Sequence, residues 1–225
     1  MSAYDNLTSV KQNIDAACAK AGRDSRDVKI IAVTKKRTIE QINELVSLGV
    51  TDVGENRVQE LLEKYDKLDG SVNWHLIGTL QKNKVKYIAD KVVMIHSVES
   101  VSLAAEIDKQ CKKINKVMDI LVQVNVSGEE TKSGIAPQAA HEFIKQISGF
   151  SNIRVRGLMT MAPLNEKSDK ISEIFAQLYK LSVDISSKKY DNISMDYLSM
   201  GMSNDYELAV EQGSNIVRIG QALFN

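Results

Sequence analysis

Val28-Lys-Ile-Ile-Ala-Val-Thr34-Lys35-Lys36-Arg37-Thr38 is the stretch that decides the fold of this chain. Val28 to Thr34 is a short β-branched run of the kind that forms a buried strand, and Thr38 with Gln41 reads as a capping box opening a helix. A doubly wound open sheet calls for a glycine-rich turn between its first strand and the helix that follows. Here that turn holds two lysines and an arginine and no glycine. The closed barrel is therefore favoured over the open sheet.

Seven more strand-like runs follow, at Thr51 to Glu55, Val72 to Ile77, Val92 to Val98, Met118 to Val126, Ile153 to Thr160, Tyr197 to Met202 and Ile216 to Ile219. Between them, apolar residues recur at helical spacing, as in Ile39, Ile42, Leu45 and Val46, or Ile171, Ile174, Phe175, Leu178 and Leu181. Gly22, Gly49, Gly149 and Gly213 stand where helix-ending glycines belong. Strand then helix, eight times over 225 residues, is about 28 residues per unit, near the compact end of the (β/α)8 range. The expected fold class is α/β, a single TIM barrel occupying residues 1–225 as one domain. Only Gln221 to Asn225 follow the last strand, too few for a full covering helix. The apolar stripe Leu7, Val10, Ile14, Ala17, Cys18 and Ala21 marks an extra N-terminal helix expected to cover that face beside strand eight.

Composition narrows the function classes. Lysine plus arginine (29) balances aspartate plus glutamate (29), so no global field favours nucleic acid or an anionic membrane. No apolar run approaches the roughly 20 residues of a membrane span, and the N-terminus lacks a cationic leader with an apolar core. Cys18 and Cys111 stand apart, with no redox or metal-ligand spacing, which points to a reduced, cytoplasmic setting. His96 and His141 have no partners at ligand spacing, so no metal site is expected.

Barrel chemistry sits at the C-terminal ends of strands. Side chains alternate, so Ile31, Val33 and Lys35 share one face of strand one, and Ile216, Arg218 and Gly220 one face of strand eight. Lys35 and Arg218 would then reach the upper layers of the lumen. A lysine in such a place is either desolvated into a nucleophilic amine or snorkels to the mouth and pairs with Glu55. The segment Tyr197 to Glu207 leads from strand seven into a helix, with Ser203 or Asn204 as N-cap and Glu207 closing a capping box. Ser203 is either an ordinary cap or part of a phosphate site shared with Gly220-Gln221 after strand eight. Gly201 lets the backbone come close. Asn56 and Asn125 line the mouth or cap loops. His75 reads as a satisfied core or bottom-face group, Lys82, Lys84 and Lys86 as a solvated helix face, and Met159 and Met161 as barrel core.

Ile31-Ala-Val-Thr-Lys35-Lys, Gly54-Glu-Asn-Arg-Val-Gln-Glu60, Trp74-His-Leu-Ile-Gly-Thr-Leu-Gln-Lys-Asn-Lys84, Gly157-Leu-Met-Thr-Met161, Leu198-Ser-Met-Gly-Met-Ser203 and Val217-Arg-Ile-Gly220 resemble the pyridoxal phosphate homeostasis protein family. That family is similar to the barrel domain of alanine racemase standing alone. The resemblance implies a cofactor, pyridoxal 5′-phosphate, held as a Schiff base on Lys35. It further implies that Ser203 and the amides of Gly220 and Gln221 hold the phosphate, that Arg218 faces the pyridine nitrogen, and that Asn56 lies beside the ring. An arginine there disfavours ring protonation and weakens the ring as an electron sink. Thr34-Lys35-Lys36-Arg37-Thr38 departs from the family's commoner Ser-Lys-Thr-Lys-Pro.

The implied function is a non-catalytic carrier, a monomer, that buffers the cofactor and passes it to recipient enzymes dependent on it. The length leaves no room for the second domain that supplies a racemase's tyrosine acid/base. A weak amino-acid racemase using Lys35 alone is the alternative, and a phosphate-binding barrel enzyme without this cofactor is the third reading.

Overall fold

In the computed structural model, which describes all residues except 1, 69, 71 and 165, eight parallel strands close in chain order. They are β1 (Lys29–Val33), β2 (Asp52–Glu55), β3 (Asn73–Leu76), β4 (Val92–Val98), β5 (Met118–Gln123), β6 (Ile153–Met159), β7 (Ile193–Met202) and β8 (Ile216–Ile219). The seam between first and last strand pairs Ile31 with Arg218 and Ala32 with Ile219. Each expected strand is present. One begins earlier than its β-branched run, because the polar stretch Ile193-Ser-Met-Asp pairs with β6 at Val155.

Parity sorts the side chains as the alternation requires. Ile31, Met94, Leu121, Met159 and Ile216 form a compact lumen cluster, while the opposite faces join the shell between strands and helices. The shell helices are α1 (Ala3–Lys20), α2 (Ile39–Ser47), α3 (Val58–Tyr65), α4 (Val85–Ile88), α5 (Val101–Lys113), α6 (Ala140–Ile147), α7 (Ser168–Ser187), α8 (Tyr206–Glu211) and α9 (Gln221–Phe224). The chain after β8 thus forms one turn of helix.

Ser2 and Asp5 close a capping box at the start of α1, whose Leu7, Val10, Ile14, Ala17 and Cys18 are buried. It lies against α8 and α9, the elements flanking β8. The Asn6 amide donates to the carbonyls of Leu223 (3.2 Å) and Asn225 (3.0 Å), and Asn13 donates to the Tyr206 hydroxyl (2.8 Å). The N-terminal helix thus covers the face it was expected to cover, reaching it through α8 and α9 and ending one residue before Ala21. Truncating Ile14 to alanine should lower stability by about 2–4 kcal/mol, the cost of a buried cavity. A denaturant midpoint unchanged in that variant would contradict the covering role.

Register shifts mark both edges of β6, next to Gly157. Gly157 has φ +152°, and a Cβ there would lie 1.8 Å from the Tyr197 carbonyl oxygen. A side chain has no room at this bulge.

Candidate functional site

The expected site residues leave the C-terminal ends of four adjacent strands, β7, β8, β1 and β2. Ser203 follows β7, Arg218 lies in β8, Gly220 and Gln221 follow it, Lys35 follows β1 and Asn56 follows β2. The seam register brings the exits of β8 and β1 side by side, and the Gly220 Cβ position would be 3.4 Å from Val33 Cβ.

The loop carrying Lys35 is bolted down by buried charge. Glu55 is fully buried, accepts from Thr34 Oγ1 at 2.7 Å and pairs with Lys64 Nζ at 2.6 Å. Lys64 also donates to the Thr34 carbonyl (2.7 Å), and the Lys36 amide donates to Glu60 (3.1 Å), holding Lys36 at φ +58°. Glu55 is therefore Lys64's partner, and the alternative pairing with Lys35 does not form. The Lys35 side chain is exposed at the mouth and makes no hydrogen bond or ion pair with the described residues. Of the two readings of Lys35, the desolvated amine is not found: β1 ends at Val33, two residues earlier, and the side chain reaches the mouth without pairing with Glu55.

Ser203 differs from expectation in an informative way. The N-cap of α8 is Asp205, so neither Ser203 nor Asn204 caps that helix, and Glu207 accepts from Asn13 instead of closing a capping box. The Ser203 hydroxyl instead accepts from the amides of Gly220 (3.3 Å) and Ala222 (3.2 Å), joining the β7 and β8 exits. Two amides aimed at one oxygen are the donor arrangement that an anionic oxygen needs. Gly201, at φ +95°, lets the backbone approach α8, since a Cβ there would meet Ala209 Cβ at 2.6 Å.

Arg218 is buried in the upper lumen, donating to Ser199 Oγ (2.6 Å) and to the Thr160 carbonyl (2.9 Å). No carboxylate among the described residues bonds to it. Burial pushes its pKa down to about 10, opposed by the negative charge of Asp205. Burial raises the Asp205 carboxyl, against the Met202 amide and the Arg218 charge. Asn56 is half-buried, with its backbone pressed by Gly78, where a Cβ would fall 2.4 Å from the Asn56 carbonyl. Asn125 caps the loop after β5, bonding Glu129, Lys132, Ser127 and Gly128. Lys82 and Lys86 face solvent, and Lys84 and Lys86 lie over the Tyr87 ring.

Ligand spacing did not reveal His96 as a partner of His75. The two rings meet on neighbouring strands, with His75 Nδ1 3.0 Å from His96 Nε2. His75 Nε2 lies 2.9 Å from Asp52 Oδ1, and His96 Nδ1 2.9 Å from Ser199 Oγ. Burial lowers both imidazole pKa values, that of His96 the more, with neighbouring positive charges adding to it. Asp52, despite its burial, is held well below the usual carboxylate range by hydrogen bonds from His75, Lys29 and Thr51. Below pH about 6.5 the unfolded chain binds protons that the folded imidazoles refuse, so stability falls as pH drops. The expected slope between pH 6.5 and 5 is at most about 1.4 kcal/mol per pH unit for each histidine. Thermal midpoints flat over that interval would contradict the neutral pair.

Together these features define a closed parallel barrel whose adjoining strand exits gather a hydroxyl, two backbone amides, an exposed lysine and a buried arginine. Comparison with known proteins agrees. The sequence model of the family "Alanine racemase, N-terminal domain" matches residues 6–225. A pyridoxal phosphate homeostasis protein of Aquifex aeolicus is 43% identical over 225 residues, spanning all of this chain and 98% of its own length. One from Pseudomonas aeruginosa is 37% identical over 221 residues, covering 98% of this chain and 94% of that protein. The structure of PipY of Synechococcus elongatus with pyridoxal phosphate bound superposes with TM-score 0.87 at 29% identity, each chain covered completely. Alanine racemase of Clostridium difficile shares the fold, with TM-score 0.76 at 19% identity over 97% of this chain and 56% of that one. The chain therefore belongs to the alanine racemase N-terminal domain family and, within it, to the pyridoxal phosphate homeostasis proteins.

Proposed function

We propose that this chain binds pyridoxal 5′-phosphate at the mouth of its barrel and contributes to the cofactor's homeostasis without catalysing turnover. The observation that carries the reading is the donor set at the exits of β7 and β8. Ser203 Oγ with the Gly220 and Ala222 amides suits a phosphate oxygen, and Arg218, a buried cation bonded to no carboxylate among the described residues, suits a ring nitrogen's lone pair. When bound, the cofactor supplies a reactive aldehyde. Lys35, exposed at the adjoining strand exit and unpaired among the described residues, is the amine we assign to hold it. Gly220 and Gln221 lend backbone amides, and Asn56 flanks the ring.

With the cofactor bound, Arg218 would be the donor to the ring nitrogen and would disfavour a proton there, which would limit carbanion stabilisation. The names of the relatives support a holding role over racemisation. The relatives' role also fits the cytoplasm, a monomer, and transfer of the cofactor to enzymes that use it. No helix among the described residues is long and apolar enough to cross a membrane.

The test is to add pyridoxal phosphate to the purified chain, record the visible spectrum before and after borohydride, and map the reduced adduct by mass spectrometry. The expected adduct is stoichiometric and on Lys35, with alanine racemisation no faster than with free cofactor. An adduct confined to other lysines would overturn the site, and racemisation well above free cofactor, lost in Lys35→Ala, would favour the racemase reading. Ser203→Ala and Arg218→Ala should each weaken cofactor binding roughly ten- to a hundredfold, the worth of one charge-assisted hydrogen bond. Unchanged dissociation constants in both would contradict these two assignments.

A further inference from the structure

The lumen of β2, β3, β4, β7 and β8 carries a polar column beside its apolar cluster. Asp52, His75, His96, Ser199 and Arg218 are each nine-tenths buried or more, and consecutive members lie 2.6–3.0 Å apart. The column begins at the barrel floor, where Asp52 also meets Lys29 (2.9 Å) and Thr51 (2.8 Å), and ends under the mouth.

Its two ends fix the direction of every hydrogen bond between them. An arginine only donates, and an ionised carboxylate only accepts. Arg218 Nη1 therefore donates to Ser199 Oγ. The neutral imidazoles have one donor nitrogen and one acceptor each, and Asp52 must receive from His75 Nε2–H. His75 Nδ1 is then an acceptor and receives from His96 Nε2–H, which leaves His96 Nδ1 to receive the Ser199 hydroxyl hydrogen. No other arrangement of neutral rings satisfies all four contacts. Each member turns the negative end of its dipole toward Arg218, and the negative charge of Asp52 terminates the chain.

We propose that Asp52, His75, His96 and Ser199 are positioning residues, a one-way hydrogen-bond chain that holds the Arg218 guanidinium in a single orientation beneath the cofactor. Mere core filling is a poorer account. Apolar side chains of similar volume would fill a lumen already lined by Ile31, Met94, Leu121, Met159 and Ile216 at no desolvation cost. The chain also substitutes for a direct carboxylate partner. Such a partner would compete with the ring nitrogen for the guanidinium, whereas the Ser199 hydroxyl and the Thr160 carbonyl take one N–H each, and both are neutral. The groups facing the two rings are Asp52, Lys29, Ser199 and Arg218, together with each other. The proposal rests on the cofactor reading above for its purpose, but the chain itself is a property of the empty protein.

Two measurements separate those failures. Side-chain 15N NMR of the cofactor-free protein should show His75 and His96 neutral from pH 8 to 6, both protonated on Nε2. An imidazolium, or an Nδ1–H tautomer on either ring, would overturn the chain whatever the cofactor does. Ser199→Ala and the remote Asp52→Asn should then weaken pyridoxal phosphate binding, Ser199→Ala roughly tenfold for the lost charged hydrogen bond. In both variants the visible band of the bound cofactor should shift with pH between 6 and 9, where the wild-type band stays fixed. Wild-type affinity and a fixed band in both variants would overturn the positioning role. No cofactor uptake by the wild-type chain would overturn the cofactor reading, and with it the chain's purpose, leaving the NMR result to judge the chain alone.

Discussion

Lys35→Ala is expected to abolish the borohydride-stable adduct and to weaken retention of pyridoxal phosphate at least about a hundredfold, some 2.8 kcal/mol or more. Binding that remains would come from the Ser203 cradle and Arg218. The fold should not notice the change. Lys35 is exposed and unpaired among the described residues, and surface substitutions of that kind stay within about 0.5 kcal/mol. Lys36→Ala is the matched control, because Lys36 also lies in the loop and is exposed, yet should keep the adduct. The outcome that sinks the assignment is a Lys35→Ala protein that still yields a stoichiometric reduced adduct.

Gly157→Ala is expected to have the largest effect on the fold itself. Its Cβ would sit 1.8 Å from the Tyr197 carbonyl oxygen and 3.0 Å from the Tyr197 nitrogen, both backbone atoms that cannot rotate away. Either β6 and β7 separate or the bulge is rebuilt. The cost should exceed about 4 kcal/mol, a large part of the roughly 5–15 kcal/mol that stabilises a domain. Gly22→Ala is the comparison for a positive φ without a close contact, since Gly22 has φ +66° with nothing within 4 Å of its Cβ position. It should lose only about 1–2 kcal/mol. Equal denaturant midpoints for the two variants would show that the close approach at Tyr197 is not what demands glycine.

The barrel was legible because its strands are β-branched runs separated by helices with apolar residues at spacings of three and four, a pattern that survives without any tertiary information. The start of β7 was not, since Ile193-Ser-Met-Asp owes its extended form to pairing with β6 and not to its own composition. At the mouth, parity put Lys35 and Arg218 on inward faces, but it says nothing of where a strand stops. That is why parity leaves open whether Lys35 is desolvated or reaches the mouth, where the structure shows it exposed. Partners were hardest to read. Glu55 with Lys64, His75 with His96, and Ser203 with the amides of Gly220 and Ala222 join different elements, so no local spacing announces them. The cap at Asp205 was misread because Ser203 and Asn204 are equally good cap residues by type.

The β1–β8 seam has a thermodynamic consequence. Lys35 lies just beyond one side of this join, and Arg218, Gly220 and Gln221 belong to the other, so a ligand touching both acts as a clasp across the barrel's closure. It binds only the closed form, and at a hundred times its dissociation constant it would add about 2.7 kcal/mol against opening. Hydrogen exchange in Lys29 to Val33 and Ile216 to Ile219 should therefore slow on loading more than in strands away from the seam. If the chain holds the cofactor as proposed, cofactor level would then set how long the barrel stays shut, and the protein would be least durable when unloaded.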